Sequence, residues 1–317
     1  MNMQTYILQR MLLALLTVFI VCTVVFLLMR VLPGDAAFTQ LQDGGNITPA
    51  DIIAIRERLG LDDNVLMQLA NWYKDALTGD FGISYVTRQP VVDGLIKSLP
   101  VTLELVAFAW TLSVIMGVSV GVLSALKPNT LTDYIARFIS IFGLSVPQFV
   151  LATVTVLVLS KYLNWIPPIG YRSFIDNPWV NIQQYFLPAI LLGVGTSAGK
   201  MRLTRSALLE VIRQDYIRTA RSKGLTETSI IVRHALKNAM GPVFTVAGSQ
   251  LAALIGGTVV IELIFSMPGV GSWTLSGVSS RDYPVVQTAA VFLTTVLVFM
   301  NLIVDLSLKW LDPRVKF

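Results

Sequence analysis

The sequence predicts an all-α integral membrane protein with six transmembrane helices and both termini in the cytoplasm. Of its 317 residues, 54% are hydrophobic and 14% are charged, whereas soluble domains carry about 25% charged residues. The mean hydropathy of +0.67 is too high for a surface in contact with water. This composition excludes a soluble enzyme, and the single cysteine excludes a disulfide within the chain.

Six uncharged stretches are each close to the roughly 20 residues that an α-helix needs to cross a bilayer. They contain 19, 22, 23, 23, 24 and 22 residues, and they lie between Arg10 and Arg30, Glu104 and Lys127, Arg137 and Lys161, Asp176 and Lys200, Lys237 and Glu262, and Asp282 and Asp305. Only the second half of the fourth stretch is apolar. The first stretch is too long for a signal-peptide core, so we interpret it as a span.

The distribution of charge predicts the orientation. With cytoplasmic termini, the inside segments are 1–10, 127–137, 200–237 and 305–317. They carry 15 of the 24 Lys and Arg residues and 6 of the 19 acidic residues, a net charge of +9, and the outside segments carry −4. Because cytoplasmic loops are enriched in Lys and Arg, both ends are predicted to be cytoplasmic.

The chain is therefore divided into three parts. Residues 1–30 form the N-terminus and first span, 31–98 form an extracytoplasmic helical insertion, and 99–317 hold the other five spans and a cytoplasmic loop, 200–237. Within the insertion, helical spacing of apolar residues predicts helices at 49–59 and 64–77.

The loop 200–237 contains two predicted helices joined by a glycine. Residues 215–223 form a short helix with cations in its last turn, and Gly224 ends it. Thr226 is placed to cap a second helix that leads back to the membrane. Two helices that project from membrane spans offer a rigid docking surface to a soluble partner, so we favour docking over a basic loop held by lipid headgroups.

Other chemistry is poorly supported. One histidine and one cysteine are too few for a zinc or iron site, and the basic residues follow topology rather than a nucleic-acid pattern. The stretch Gly193-Val-Gly-Thr-Ser-Ala-Gly-Lys200 lacks the residues of a phosphate-binding loop at Val194 and Met201. Four acidic residues lie at the ends of the spans and are interpreted as interface anchors: Glu104, Glu262, Asp282 and Asp305. Because proton relays need ionisable residues inside the spans, this placement argues against a proton-driven transporter.

Two alternatives stay open. Residues 195–199 match the Gly-x-Ser-x-Gly elbow of serine hydrolases, which leaves a membrane serine hydrolase using Ser197. Close helix packing is the favoured interpretation of these glycines and of Gly117 and Gly121. A stand-alone channel is the other alternative. Pro147, Pro188 and Pro242 fall in three spans, where they either pack or kink the helices.

The loop sequences Asp215-Tyr-Ile-Arg-Thr-Ala-Arg-Ser-Lys-Gly-Leu225 and Arg233-His-Ala-Leu-Lys-Asn238 resemble the cytoplasmic loop of ABC-type importer permeases of the dipeptide/oligopeptide/nickel class. Ala220 and Gly224 match the general signature of that loop, while Arg218 and Thr219 replace its Glu and first Ala. Six further motifs resemble the same class: Leu32-Pro-Gly-Asp35, Leu99-Pro-Val-Thr-Leu-Glu104, Ser145-Val-Pro-Gln-Phe149, Leu187-Pro-Ala189, Arg281-Asp-Tyr-Pro-Val-Val-Gln287 and Leu311-Asp-Pro-Arg-Val315. A seventh is Glu262-Leu-Ile-Phe-Ser-Met-Pro-Gly-Val-Gly271.

The resemblance implies the type I ABC importer permease fold in the inner cell membrane. The long outer insertion is similar to that of the B-type subunit, so a second, C-type permease would supply the other half of the channel. Two cytoplasmic ABC ATPase subunits would hold ATP and Mg²⁺, and an extracytoplasmic solute-binding protein would deliver the solute. No cofactor or nucleic acid is expected on this chain, and no catalytic residue.

The resemblance also assigns two sites. The ATPase-coupling helix would consist of Asp215, Tyr216, Ile217, Arg218, Thr219, Ala220, Arg221, Ser222, Lys223 and Gly224. A channel-mouth loop would include Glu262, Phe265, Pro268, Gly269 and Gly271. Members of the class carry dipeptides, oligopeptides, glutathione, nickel chelates, haem or oligosaccharides, and the shared motifs do not distinguish among them.

Overall fold

A computed structural model describes residues 3–31, 53, 56, 62–166, 168 and 170–311, and the helix predicted at 49–59 lies outside these residues. Apart from loops and one isolated β-bridge between Ile83 and Pro90, the described residues with regular structure are helical, as predicted. The longer helices are α1 Met3–Val31, α2 Val65–Thr78, α3 Val91–Leu126, α4 Leu131–Ser145, α5 Gln148–Leu163, α6 Pro178–Ile212, α7 Asp215–Ser222, α8 Glu227–Ile264, α9 Val270–Ser279 and α10 Tyr283–Leu311.

The candidate membrane spans account for five of the six predicted ones. Within the described residues, four stretches are long and apolar enough to cross a bilayer: Ile7–Val31, Val91–Leu126, Glu227–Ile264 and Tyr283–Val304. The pair α4 and α5 supplies a fifth if a bent pair counts as one span. The fourth predicted span falls in α6, which has 35 residues but includes buried polar side chains such as Asn181 and Gln184. The count of six and the cytoplasmic termini remain predictions.

One of the three prolines breaks its span. The axes of α4 and α5 meet at 102°, and Pro147 caps the N-terminus of α5. Val146 has φ −92° and ψ 123°, the extended conformation that a following proline favours. Pro188 and Pro242 lie inside uninterrupted helices. The third predicted span is therefore two helices with a sharp corner.

The start of α8 is wider than a regular α-helix. Ile230–Leu236 form a π-helical segment between the first turn and Lys237–Ile264. Ile230 and Ala235, five residues apart, are both buried. A π-helix bonds residues five apart, so this spacing keeps both side chains on one face.

The chain divides into two compact units, Met1–Val101 with Pro268–Phe299, and Thr102–Met267 with Met300–Phe317. In the first unit, the outer helix α2 packs on α1. The rings of Phe19 and Tyr73 stack with centroids 5.1 Å apart, and Phe26 and Trp72 lie 5.9 Å apart. Because α2 is short and amphipathic, these contacts supply the burial that it could not provide alone.

A buried carboxylate organises the same unit. Asp282 is 2% exposed, and it accepts hydrogen bonds from the Ser84 hydroxyl at 2.5 Å and from the backbone amides of Tyr85 at 3.1 Å and Val86 at 3.4 Å. Burial raises the pKa of Tyr85 to about 12, so its phenol is neutral at physiological pH. Asp282 thus fixes the 84–86 turn, and its interpretation as a lipid-interface anchor is wrong.

In the second unit, α3 and α6 approach closely at glycines. A Cβ added to Gly117 would lie 2.8 Å from the Ser197 carbonyl oxygen, and one added to Gly121 would lie 2.7 Å from Thr204 Cβ. Such small residues let the backbones of membrane helices come together. The packing role predicted for Gly117 and Gly121 is confirmed.

Candidate functional site

The predicted coupling helix is formed by α7, and it is held to the rest of the second unit by one apolar face. Ile217 is fully buried and Ala220 is 8% exposed. Three residues apart, they lie on one side of the helix. They pack into a cluster of buried residues drawn from α3, α6, α7 and α8: Ala125, Leu208, Val211, Ile230, Ala235 and Ala239. A helix of eight residues is marginal alone, so this cluster holds it in place.

The other face of α7 is polar and exposed. The eight remaining residues of the predicted coupling site are all accessible: Asp215, Tyr216, Arg218, Thr219, Arg221, Ser222, Lys223 and Gly224. Asp215 and Arg218 pair at 3.4 Å on the surface. Surface ion pairs of this kind contribute little to stability. This charged face is therefore available to another molecule.

Arg221 connects α7 to α8 across the junction. Its Nε lies 2.6 Å from Glu227 Oε1, and its Nη2 lies 3.3 Å from Oε2. The hydrogen bonds to this carboxylate raise the pKa of the Arg221 guanidinium. Asn238 adds a second link, because its amide donates to the Tyr216 hydroxyl at 2.9 Å. Both links join the short helix to the base of α8.

The junction itself depends on Gly224 and Thr226. Gly224 has φ +75°, and its amide donates to the Arg221 carbonyl at 2.9 Å, while the amide of Leu225 donates to the Ala220 carbonyl at 3.4 Å. This is the hydrogen-bond pattern of a helix that ends at a left-handed residue. The Thr226 hydroxyl accepts from the Ser229 amide at 3.4 Å, as an N-cap does. The helix–glycine–helix prediction is confirmed in structure.

The predicted channel-mouth loop is mostly buried within the chain. In the second unit, Glu262 is fully buried and accepts from the Thr102 hydroxyl at 2.7 Å, and Phe265 is 3% exposed. In the first unit, Gly269 precedes α9 as its N-cap and Gly271 is buried in its first turn. Pro268 is the exposed member of the five. Glu262 is thus a hydrogen-bonded interior residue rather than an interface anchor.

Residues 117–317 match the family described as "Binding-protein-dependent transport system inner membrane component", and residues 3–106 match its N-terminal family. The chain belongs to this family. It is a multi-pass inner-membrane permease subunit of an ABC importer, and it is not an enzyme, because ATP hydrolysis belongs to partner subunits.

Relatives match along the whole permease. It is 38% identical to the dipeptide transport system permease protein DppB of Alkalihalophilus pseudofirmus, over 98% of both chains. It is 39% identical to a putative peptide transport system permease protein of Brucella abortus, over 99% of this chain and 100% of the relative. With the glutathione transport system permease protein GsiC of Escherichia coli it shares 35% identity over the same fractions.

Solved structures agree on the fold. The inward-facing MetNI methionine ABC transporter matches with a TM-score of 0.57 and 19% identity, over 70% of this chain and 98% of the other. An amino acid ABC transporter solved with histidines matches with a TM-score of 0.55 and 14% identity, over 69% and 94%. At these identities the likeness shows the type I importer permease fold alone.

Ser197 does not lie in the setting of a hydrolase nucleophile. It is 8% exposed in the interior of the permease helix α6, and its hydroxyl donates to the Val194 carbonyl at 2.7 Å. A nucleophile elbow needs a strand, a turn and a helix, with a base beside the serine. The hydrolase alternative has no support here. The described residues also hold no group of three His, Cys, Asp or Glu side chains that could bind a metal ion.

A buried ionic cluster on the predicted cytoplasmic side of the permease is not evident from the sequence. Asp133 is fully buried, and Arg205 binds both of its oxygens, at 2.8 Å and 2.9 Å. The Ser124 hydroxyl and the Asn129 amide donate to the same carboxylate at 2.5 Å and 3.0 Å. The two charged partners are 72 residues apart in sequence, and no local pattern marks their pairing.

Lys200, the first residue of the predicted cytoplasmic loop, lies inside a helix. It is fully buried in α6, which continues to Ile212. Its ammonium donates to the Ser113 hydroxyl at 2.9 Å and to the Thr196 carbonyl at 3.4 Å. The close approach of α3 at Gly117, whose added Cβ would lie 2.7 Å from Lys200 Cβ, explains why this side chain is covered.

Proposed function

We propose that this permease forms half of the channel of an importer for short peptides. The observation that carries the proposal is the 38% identity to a dipeptide permease over 98% of both chains. A putative peptide permease and a glutathione permease match over similar lengths, and glutathione is itself a peptide. Peptides are therefore the shared substrate class of these named relatives.

The assembly would contain a second, C-type permease, two cytoplasmic ABC ATPase subunits with ATP and Mg²⁺, and an extracytoplasmic solute-binding protein. The insertion 31–98 and the exposed part of the loop 262–271, which includes Pro268, would face the binding protein. Residues 1–30 and 99–317 would provide the spans, with 200–237 on the cytoplasmic side.

Within this assembly, α7 would be the helix through which ATPase closure reaches the membrane. Its charged face is exposed and its apolar face is fixed among α3, α6 and α8. A partner that moves α7 would therefore move three helices together. Arg218 belongs to the exposed face, and Ile217 anchors the buried one.

The transport proposal is tested with the complete transporter in proteoliposomes. We expect uptake of radiolabelled dialanine that requires ATP and the loaded binding protein, and that unlabelled trialanine or glutathione inhibits. Omission of either permease should abolish uptake. Uptake of a nickel chelate or an oligosaccharide in place of every peptide would overturn the proposed substrate class.

The coupling proposal is tested by cross-linking. The one native cysteine, Cys22, is buried, so an introduced cysteine is the main accessible thiol. Arg218→Cys should cross-link to an ATPase subunit in inside-out vesicles. Leu77→Cys, on the exposed end of α2, should not, and it should instead react with an impermeant thiol reagent in spheroplasts. The reverse pattern would refute both the orientation and the docking site.

A further inference from the structure

The first compact unit contains a cavity of about 630 Å³ on the side predicted to be extracytoplasmic. Its walls come from the end of α1, one face of α2, the 80–88 loop and the start of α10. This volume is in the range of small-molecule binding sites. Neither the proposed coupling helix nor the proposed mouth loop borders it.

One end of the cavity presents the Arg30 guanidinium, which pairs with no carboxylate of the described residues. Arg30 donates from Nε to Gln68 Oε1 at 2.9 Å and from Nη1 to the Phe26 carbonyl at 3.1 Å, and it lies 3.3 Å from the Phe26 ring centroid. A half-buried guanidinium held in this way is a ready donor to a carboxylate, because charge-assisted hydrogen bonds are the strong ones.

The other end presents the exposed carboxylate of Asp75. Asp75 lines the cavity from α2, and its side chain forms no ion pair within the part of the chain that the structure describes. Gln68, Asn71 and Asp75 lie on one helix face, at spacings of three and four residues. Arg30 donates to Gln68, so Gln68 marks the level of Arg30 along the axis of α2. Asp75 lies seven residues further along the helix, which corresponds to about 10 Å along this axis.

Arg30 and Asp75 therefore place a cation and an anion about 10 Å apart, with the Asn71 carboxamide between them. Asp63, Asp80 and Arg88 are the other charged residues of the lining. Three extended residues span about 10 Å, so the free ends of a tripeptide match this separation. The aromatic rings of Phe26, Trp72 and Tyr283 line the walls. Such surfaces accept many side chains without selecting one of them.

We infer that this cavity is a binding site for short zwitterionic peptides, with Arg30 binding the terminal carboxylate and Asp75 the terminal ammonium. The inference rests on the proposed function and adds to it a site on the permease itself. A peptide released from the binding protein would be held here by its two ends, independently of its side chains. Longer peptides would have one end outside the cavity and would bind less tightly.

The test measures equilibrium binding to the permease pair with its ATPases, without the binding protein, in phosphatidylglycerol nanodiscs, which offer no ammonium group. The probes are trialanine, its C-terminal amide and N-acetyltrialanine. We expect saturable binding of trialanine and affinity lower by about tenfold or more for each blocked peptide, since each loses one charged hydrogen-bonded end.

The variants separate binding from folding. Arg30→Gln should bind trialanine and its amide equally, and Asp75→Asn should bind trialanine and N-acetyltrialanine equally. Arg30→Lys should keep part of the preference for the free carboxylate. Lys74→Gln, a charge change on the same helix outside the cavity lining, should behave as wild type. If Arg30 or Asp75 only stabilised the fold, substituting it would lower the affinities for all three peptides together.

Several results would overturn the inference. They are the absence of saturable trialanine binding, equal binding of the three peptides by the wild-type complex, and unchanged preferences in both Arg30→Gln and Asp75→Asn. Peptide uptake by the complete transporter is measured in parallel. Normal uptake without binding at this cavity refutes the site alone, whereas absence of uptake for every peptide refutes the proposed function.

Discussion

Replacing Gly224 tests whether the end of α7 carries the signal from the ATPases. The residue has φ +75°, and an L-residue in the left-handed region costs roughly 1–2 kcal/mol. No atom lies within 4 Å of a Cβ built at this position, so no clash adds to that cost. The penalty is therefore purely conformational, and it should rise from Asn through Ala to Val, because asparagine tolerates this region and β-branched residues do not.

The expected effect follows from the size of that penalty. About 2 kcal/mol for Gly224→Val shifts the equilibrium between the ordered and the frayed junction by about 30-fold. The membrane spans lie outside the change, so insertion and abundance should be normal. The short helix α7 would lose its fixed end, and the proposed contact between α7 and the ATPases would be lost with it.

The assay is ATP hydrolysis by the reconstituted complex, with and without peptide-loaded binding protein, beside peptide uptake. We expect stimulation and uptake to fall in the order Asn, Ala, Val, with Gly224→Asn close to wild type. Full stimulation and full uptake in Gly224→Val, at normal abundance, would refute the role of α7 in coupling. Equal loss in all three variants would refute the conformational argument.

Three further changes test the interior of the permease. Ser197→Ala should retain most uptake, because it removes only one hydrogen bond to the backbone of its own helix. A loss on the order of 10⁶-fold, as for a catalytic nucleophile, would instead support the hydrolase alternative. Asp133→Asn should lower abundance and thermal stability, since it leaves Arg205 without its counter-charge at a cost of about 3 kcal/mol or more; wild-type stability would contradict this. Gly117→Ala should destabilise the detergent-solubilised permease, because the new Cβ would lie 2.7 Å from Lys200 Cβ in α6. Gly256→Ala is the control and should be tolerated, because no atom lies within 4 Å of the new Cβ. The same melting temperature for both variants would argue against close packing at Gly117.

The features that sequence predicted well are those set by neighbouring residues. The helix predicted at 64–77 is α2, capped by Asn64, whose side chain accepts from the Leu66 amide at 2.9 Å, and ended by Gly79 at φ +84°. Gly224 and Thr226 were identified from the same local rules. Long uncharged stretches likewise marked four helices directly, because span length is set by the bilayer.

The features that sequence did not predict depend on partners far along the chain. The position of Asp282 at the end of an apolar stretch predicts an interface anchor, yet its partner Ser84 lies 198 residues away. Lys200 is buried only because α3 packs over it at Gly117. Pro147, Pro188 and Pro242 all fall in predicted spans, but only the first interrupts its helix. Each outcome is decided by tertiary neighbours, which a single sequence does not reveal.

The π-helical segment at Ile230–Leu236 makes the length of this stretch of chain critical. Each residue of a regular helix advances the direction of the side chains by about 100°, so the wider turn fixes how α7 is rotated about the axis of α8. Deleting one residue here would restore a regular helix, because the wide turn accommodates the extra residue. Adding or removing a residue in the regular part of α8, where no wide turn absorbs the change, would instead rotate the charged face of α7 by about 100° relative to the membrane span. The π-helical segment therefore sets the direction in which α7 presents its charged face.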